Sequence, residues 1–355
     1  MRVIYDNTHN SDMYYAVKTH IADKFFYIEK EKKRYVYLDA REIDAFKEKN
    51  KEVEVFPLEP LIKEVEGKSL LAHELALKIV DKEIEVPTSF PLDMADFLRD
   101  NGIKVTPLTS FYPERNYKSE EEKEKIKENI QKTCLAFQKI EEILKESKIK
   151  GEEIIYKGKT LTSEFIKKEV KKLFLENDLY TPEGMIISSA KQASFPHHTG
   201  SGALKANSTI ICDIFPRGEN GYFADMTRTY VKGKPSKKAE EMYAAVLKAQ
   251  EKAISMAAPG VSMKDIHDAV CDVFKSVNHI EGFLHGTGHG LGVDIHEDPY
   301  VNARSKGELK AGNVFTVEPG LYYPQYGGVR IEDVLYITED GSENLTNYPK
   351  EMIIL

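Results

Sequence analysis

From residue 118 onward the chain runs through one order of elements twice, and that repetition constrains its fold more than any other feature. A long run with helical spacing (118–147) and a shorter one (162–177) precede a strand-rich region, 185–232; a second long run (236–257) and a shorter one (262–278) precede another, 282–355. In the first run Ile126, Ile130, Cys134, Phe137, Ile140 and Leu144 mark one apolar face, while Lys and Glu fill the other. The charged stretch KSEEEKEKIKEN is therefore a solvated helix face and not an interaction tail. The later pair is well punctuated: Ser236 can cap the first helix, Pro259–Gly260 stops it, and Ser262 with Asp265 forms a capping box for the second. Two similar halves, each offering strands from one side, predict a curved antiparallel sheet backed by helices. A site at its centre would draw residues from both halves.

The 355 residues exceed what one hydrophobic core usually holds, so two domains are expected. Residues 1–115 alternate strand-like runs, at 25–28, 34–39 and 53–57, with the helix-like stretches REIDAFKEKN, HELALKIVDKEI and LDMADFLRDNG. That alternation predicts a smaller α/β layered N-terminal domain, with a boundary between Pro113 and Lys118 and a second domain over 118–355. Its histidines His9, His20 and His73 are isolated and read as surface or satisfied core residues.

A net charge of −8 argues against a partner that is nucleic acid, which calls for a basic face. Cys134, Cys212 and Cys271 are far apart and odd in number, fitting neither a disulfide framework nor a zinc knuckle. The first twenty residues lack a basic start followed by an apolar run, and no stretch approaches membrane-spanning length. A cytoplasmic location is expected.

Three segments carry chemistry. CDIFPRGENGYFADMTRTY (212–230) holds Asp213 and Asp225, which can face each other across a hairpin; alone, a pair of strand-end aspartates is the better reading. HGTGHGLGVDIHE (285–297) sets four glycines among three histidines, and with no Lys-Ser/Thr following it is not a phosphate loop. His289 and His296 are seven apart, so a turn or bulge must intervene if both line one site. TVEPGLYYPQYGGVRIEDVLYIT (316–338) places Glu318 and Glu332 among Val and Ile, where a carboxylate needs a partner. An ion pair with Arg330 or Arg228 accounts for one of them, but not for all four. Four carboxylates and an imidazole suit two divalent cations such as Mn²⁺, Co²⁺ or Zn²⁺.

In this order the motifs resemble the pita-bread metallopeptidases, which include Xaa-Pro aminopeptidase, Xaa-Pro dipeptidase (prolidase) and methionine aminopeptidase. The resemblance covers residues 118–355 and implies an α+β fold, the creatinase/aminopeptidase type. It further implies two divalent metal ions per chain, Mn²⁺ first, with Asp213 on one, His289 and Glu318 on the other, and Asp225 and Glu332 bridging both. By the same resemblance His197 in SFPHHTG, His285 and His296 handle substrate, and Arg330 matches a substrate-site position. Glu318 would accept a proton from the attacking water and pass it to the leaving nitrogen, and His296 would bond the developing oxyanion, a contact worth roughly 3–4 kcal/mol elsewhere.

The extra N-terminal domain favours the proline-directed members, in which it usually dimerises. The expected activity is that of an Xaa-Pro aminopeptidase, acting on a peptide with proline second and working as a homodimer. The alternatives are an Xaa-Pro dipeptidase or another amide hydrolase of the same fold, and a metal-free binding module is disfavoured because all five ligand positions are filled. Two departures stand out. The spacing from Asp213 to Asp225 is one longer than in familiar members, with Ile-Phe-Pro-Arg where a small residue is usual; around His197 the chain is one residue short, leaving His198 as its substitute. Tyr322, Tyr323 and Tyr326 can wall a pyrrolidine ring or simply pack the sheet.

Overall fold

Two units make up the computed structural model, Met1–Arg115 and Asn116–Leu355, and it describes residues 1–350 and 353–354. In the first unit six strands form one sheet, in the order Glu54–Pro57, Lys33–Leu38, Phe25–Lys30, Arg2–Asp6, Glu83–Pro87 and Lys104–Leu108. Successive side chains of a strand point to opposite faces, and here both faces are apolar. Val3, Phe26 and Ile28 enter one core while Ile4, Phe25 and Tyr27 enter another. Both faces are packed with other elements, which makes this unit an α/β layer structure.

The helical spacing of HELALKIVDKEI predicts a helix throughout, but the helix stops at Ile79 and Val80 is extended. Glu83–Pro87 is a strand in which buried Ile84 and Val86 alternate with exposed Glu83 and Glu85, so a two-residue period ends the helical one. Arg2–Asp6 and Lys104–Leu108, also strands, went unread.

Among the described residues the second unit has four principal helices: Glu120–Glu146, Ser163–Leu175, Lys237–Met256 and Met263–Ser276. Each begins where a side chain takes up an orphan amide. Ser119 and Glu122 form a reciprocal capping box, and Thr162, Ser236 and Ser262 accept from the third residue beyond. The first two helices share a core with Ile210, Cys212, Ile214 and Met226, and the last two share one with Phe315, Val317, Val329 and Ile331. Each half thus buries its own strands under its own helix pair.

The first half's sheet runs Ile186–Ser189, Thr209–Ile214, Met226–Val231 and Ile353–Ile354. The second half's runs Glu297–Val301, Gly288–Gly290, Val314–Val317, Asp333–Ile337 and Ser342–Asn344. Ile353–Ile354 pairs parallel to Tyr230–Val231, which departs from the wholly antiparallel sheet expected. The halves are joined where Thr227 bridges Glu332: the Glu332 amide donates to the Thr227 carbonyl at 3.1 Å. Beside it the Thr229 hydroxyl donates to the Arg330 carbonyl and accepts from its amide.

Arg228 secures this seam from behind. Its buried guanidinium donates to Asp333 at 2.8 Å and to the carbonyls of Glu332, Tyr348 and Pro349. Asp333 would keep Lys350 at 2.6 Å and Asn344 at 2.8 Å, but Arg228→Ala takes the guanidinium donor from the carbonyls of Glu332, Tyr348 and Pro349, so it is expected to destabilise the second unit by about 3 kcal/mol. Urea unfolding monitored by tyrosine fluorescence measures it, and a loss under about 1 kcal/mol would mean that Arg228 is not a principal stay of the seam.

Candidate metal and substrate site

Strand alternation decides which way the first aspartate points. Ile210, Cys212 and Ile214 are in the core of the first half, so Ile211 and Asp213 lie on the opposite face. Asp213 pairs with Thr227 in the antiparallel ladder, which puts Asp225, two residues earlier, diagonal to it on the same face. Across the seam the Thr227 hydroxyl donates to Glu332 Oε2 at 2.7 Å. A row of oxygens therefore runs from one half into the other.

The second half closes the row with His289 and Glu318. The glycines flanking His289 serve close packing: a Cβ on Gly288 would lie 1.7 Å from the Thr316 carbonyl oxygen, and one on Gly290 would lie 2.3 Å from that of Asp298. His289 Nδ1 faces the Gly290 carbonyl at 3.1 Å, an acceptor only, so in the neutral ring Nδ1 carries the proton and Nε2 presents a lone pair. Nε2 looks toward Glu318 Oε1 at 3.4 Å and Asp225 Oδ2 at 3.7 Å. One donor atom each of Asp225, His289 and Glu332 lies within 4.8 Å of the others. Asp213 stands beside this trio with Oδ2 held by Arg330 Nη2, and Glu318 is steadied by the Thr316 hydroxyl.

Burial and mutual repulsion make this cluster costly without a cation. Burial first, then Glu332, Asp213 and Glu318, drives the Asp225 carboxyl well above its ordinary range. Burial, then Glu318 and Asp213, does the same to Glu332. Glu318 is pushed up to about 8, chiefly by burial. His289 is pulled down to about 3 by burial and by the neighbouring His296. Asp225 Oδ1 is buried without a hydrogen-bond partner. Converging carboxylates, an orphaned oxygen and an imidazole with its lone pair inward are the donor set that a divalent cation satisfies.

A cavity of about 470 Å³ opens over the cluster, lined by His197, His285, His296, Ile186, Phe215 and Tyr300 among others. His197, not His198, lies on its wall; the His198 Nδ1 turns back to accept the Gly200 amide. A β-bulge between His289 and Gly290 breaks the strand parity, and the His296 ring sits edge-on to that of His289 with centroids 4.2 Å apart. His285 is one end of a chain: its Nδ1 faces the Gly286 carbonyl, its Nε2 meets the Tyr322 hydroxyl at 2.8 Å, and that hydroxyl accepts from Arg330 at 2.7 Å. Burial and the Arg330 charge pull His285 down to about 4.

Of the two arginines weighed as ion-pair partners, Arg330 engages Asp213 and Arg228 engages Asp333, so neither pairs with Glu318 or Glu332. The three tyrosines part company: Tyr322 joins Arg330, Tyr323 bonds His279, and Tyr326 is exposed. None of the three is among the residues lining the cavity; Tyr322 and Tyr323 pack into the cores instead. Sequence reasoning missed Thr227 and Phe215. The signal for both was parity: Thr227 pairs directly with Asp213, and Phe215 is two residues beyond Asp213, just past its strand's end.

Helix pairs backing a sheet in two halves, with carboxylates and an imidazole gathered at the seam, make this unit a pita-bread α+β metallopeptidase fold. The family model for metallopeptidase family M24 matches residues 124–339, and the chain belongs to that family. It is 30% identical over 311 residues to the Xaa-Pro dipeptidase of Pyrococcus horikoshii, a match covering 81% of this chain and 86% of that one. It is 40% identical over 171 residues to the uncharacterized peptidase YqhT of Bacillus subtilis, covering 48% of each. With several curated relatives the match spans only about half of their length. Among solved structures it resembles the prolidase from Pyrococcus horikoshii, with a TM-score of 0.81 and 26% identity, covering 99% of this chain and 95% of that one.

The electrostatics give the metal-free protein a definite pH dependence. Where the folded pKa of a carboxyl is raised, the folded state keeps a proton that the unfolded chain has released, so stability falls as pH rises between the two values. His289 and His285 act oppositely, but only below about 6.5, where the unfolded imidazoles charge. From about pH 6.5 to 8 the carboxyls alone remain, and the melting temperature of chelated protein is expected to fall across that window. Excess Mn²⁺ should abolish the fall. A level or rising melting curve would mean that the four carboxylates do not oppose one another.

Proposed function

We propose that this chain is a metal-dependent Xaa-Pro dipeptidase, hydrolysing the bond between an N-terminal residue and a following proline. The observation that carries the reading is the buried set Asp225, His289 and Glu332, with Asp213 and Glu318 beside it, on the floor of a cavity of about 470 Å³. The match to the Pyrococcus horikoshii Xaa-Pro dipeptidase takes in more of the chain than the second unit contains, so it reaches into the N-terminal unit as well. That favours a dipeptide substrate over the Xaa-Pro aminopeptidase activity expected from sequence. The N-terminal unit is proposed to be the creatinase-like domain that limits substrate length.

Two divalent cations, Mn²⁺ before Co²⁺ or Zn²⁺ given the oxygen-rich donors, would be held by Asp213, Asp225, His289, Glu318 and Glu332, and would polarise the scissile carbonyl and sharpen water as a nucleophile. Glu318, at the open side of the cluster, takes the proton that the attacking water loses. It then delivers that proton to the proline nitrogen, a poor leaving group until protonated. From the cavity wall, His296 would bond the oxyanion and His197 would hold the substrate chain. Arg330 holds Asp213 and, through Tyr322, fixes the His285 ring, so these side chains are set before substrate arrives. A cytoplasmic homodimer completes the proposal. The three unpaired cysteines accord with a reducing compartment, and no helix among the described residues is long and apolar enough to cross a membrane.

A substrate panel tests the reading. Xaa-Pro dipeptides are expected to exceed both Xaa-Pro-Xaa tripeptides and Xaa-Ala dipeptides at least about tenfold in kcat/KM, a preference of about 1.4 kcal/mol. Faster tripeptides would return the protein to the aminopeptidases, and inactivity on all three classes would point to a different amide. Elemental analysis of Mn²⁺-loaded protein should count two ions per chain. His289→Ala is expected to lose metal and activity together, whereas His296→Ala should lower kcat and keep the metal. Metal loss in the latter would exchange the two assignments.

A further inference from the structure

The loop between Gly290 and Glu297 carries His296 to the cavity, and no regular element holds it. A buried ion pair does. Lys118 Nζ donates to Glu297 Oε1 at 2.6 Å, and the two side chains are only 2% and 8% exposed. The second oxygen, Glu297 Oε2, accepts the Asp294 amide at 3.3 Å, and the Asp294 carbonyl accepts the Gly292 amide at 2.9 Å. The Gly292 carbonyl in turn accepts from the Phe223 amide, two residues before Asp225. At Gly292 there is no room for a side chain: a Cβ would lie 2.5 Å from Glu297 Oε1 and 3.0 Å from Lys118 Cε. Lys118 itself is fixed, its amide donating to the Gly312 carbonyl at 2.7 Å while Asn313 Nδ2 donates to the Asn116 carbonyl at 2.8 Å.

We propose that the Lys118–Glu297 pair is a positioning device for His296, setting the path of the 291–297 loop so that the imidazole meets the substrate in one orientation. An exposed pair would do little here, but one sealed from water is short, directional and costly to rearrange. Glu297 is the residue next to His296, so holding its carboxylate at both oxygens fixes the backbone from which the imidazole projects. Neither residue is among the five proposed metal ligands, and the role proposed for both is positioning, not catalysis. The inference rests on the proposed substrate contact of His296, but the geometry of the loop can be tested without it.

Lys118→Met and Glu297→Gln are compared with the parent protein in two measurements. Hydrogen exchange, which needs no activity, is expected to speed up in the 291–297 amides and stay unchanged in Lys237–Met256. In Xaa-Pro hydrolysis kcat is expected to fall about tenfold or more with KM and metal content held. The same substitutions placed in His296→Ala should cost nothing further, because the group they position is gone. Lys118→Arg should restore part of the rate. Unchanged exchange in the loop, or a loss of equal size in the His296→Ala background, overturns the proposal. Should Lys118→Met fail to fold, the neutral pair Lys118→Met/Glu297→Gln removes the unpaired charge and gives the same readouts. A parent protein inactive on every substrate would defeat the proposed function while the exchange result still decides the role of the pair.

Discussion

Asp213, Asp225, Glu318 and Glu332 converge on one imidazole at the seam between two half-sheets, and burying that much like charge is the constraint around which the second unit is built. The cost of desolvating and crowding carboxylates appears in the raised pKa values of Asp225, Glu318 and Glu332. Part of it is offset within the chain: Arg330 neutralises Asp213, Thr227 gives Glu332 a hydrogen bond, and His289 stays neutral with its lone pair inward. The rest is left for a cation. Such an arrangement holds only if its backbone is rigid, and the ladder that joins Thr227 to Glu332, backed by Arg228, supplies that rigidity.

The two-half plan follows from the same need. Each of the five side chains rises from a strand or strand end whose other face is sealed under a helix pair, so none can retreat from its neighbours. Strands give fixed positions to Asp213 and His289, and the bridge to Thr227 fixes Glu332, whereas two other residues lining the cavity, His197 and His296, come from loops. Loops can be reshaped without disturbing the cluster. The Ile-Phe-Pro-Arg segment after Asp213 illustrates this: Phe215 reaches the cavity wall, and the ladder from Asp213 to Thr227 is intact beside it.

Parity explains most of what the sequence could and could not convey. The four long helices were legible because a 3.6-residue apolar stripe and a capping residue mark each one locally. In the first unit the same logic failed at residues 80–84, where the helical stripe ran on into a strand whose two-residue alternation is short and whose partners, Arg2–Asp6 and Lys104–Leu108, are remote in the chain. At the site, Asp213 facing away from Cys212 is a local matter. His296 meeting His289 is not, because it depends on a bulge and on a loop path pinned by Lys118, 178 residues earlier.

What the sequence by itself determined was chemical kind: which carboxylates and histidines stand in apolar settings, in what order, and within what repeated frame of helices and strands. These follow from short-range periodicity and the cost of burying charge, both of which one chain segment expresses alone. Tertiary structure decided the pairings. Arg330 takes Asp213, Arg228 takes Asp333, Tyr322 joins Arg330 to His285 and leaves the cavity, and His197 turns to the site while His198 turns away. Each of these depends on distances of a few ångströms between segments remote in the chain, set by the register of the seam.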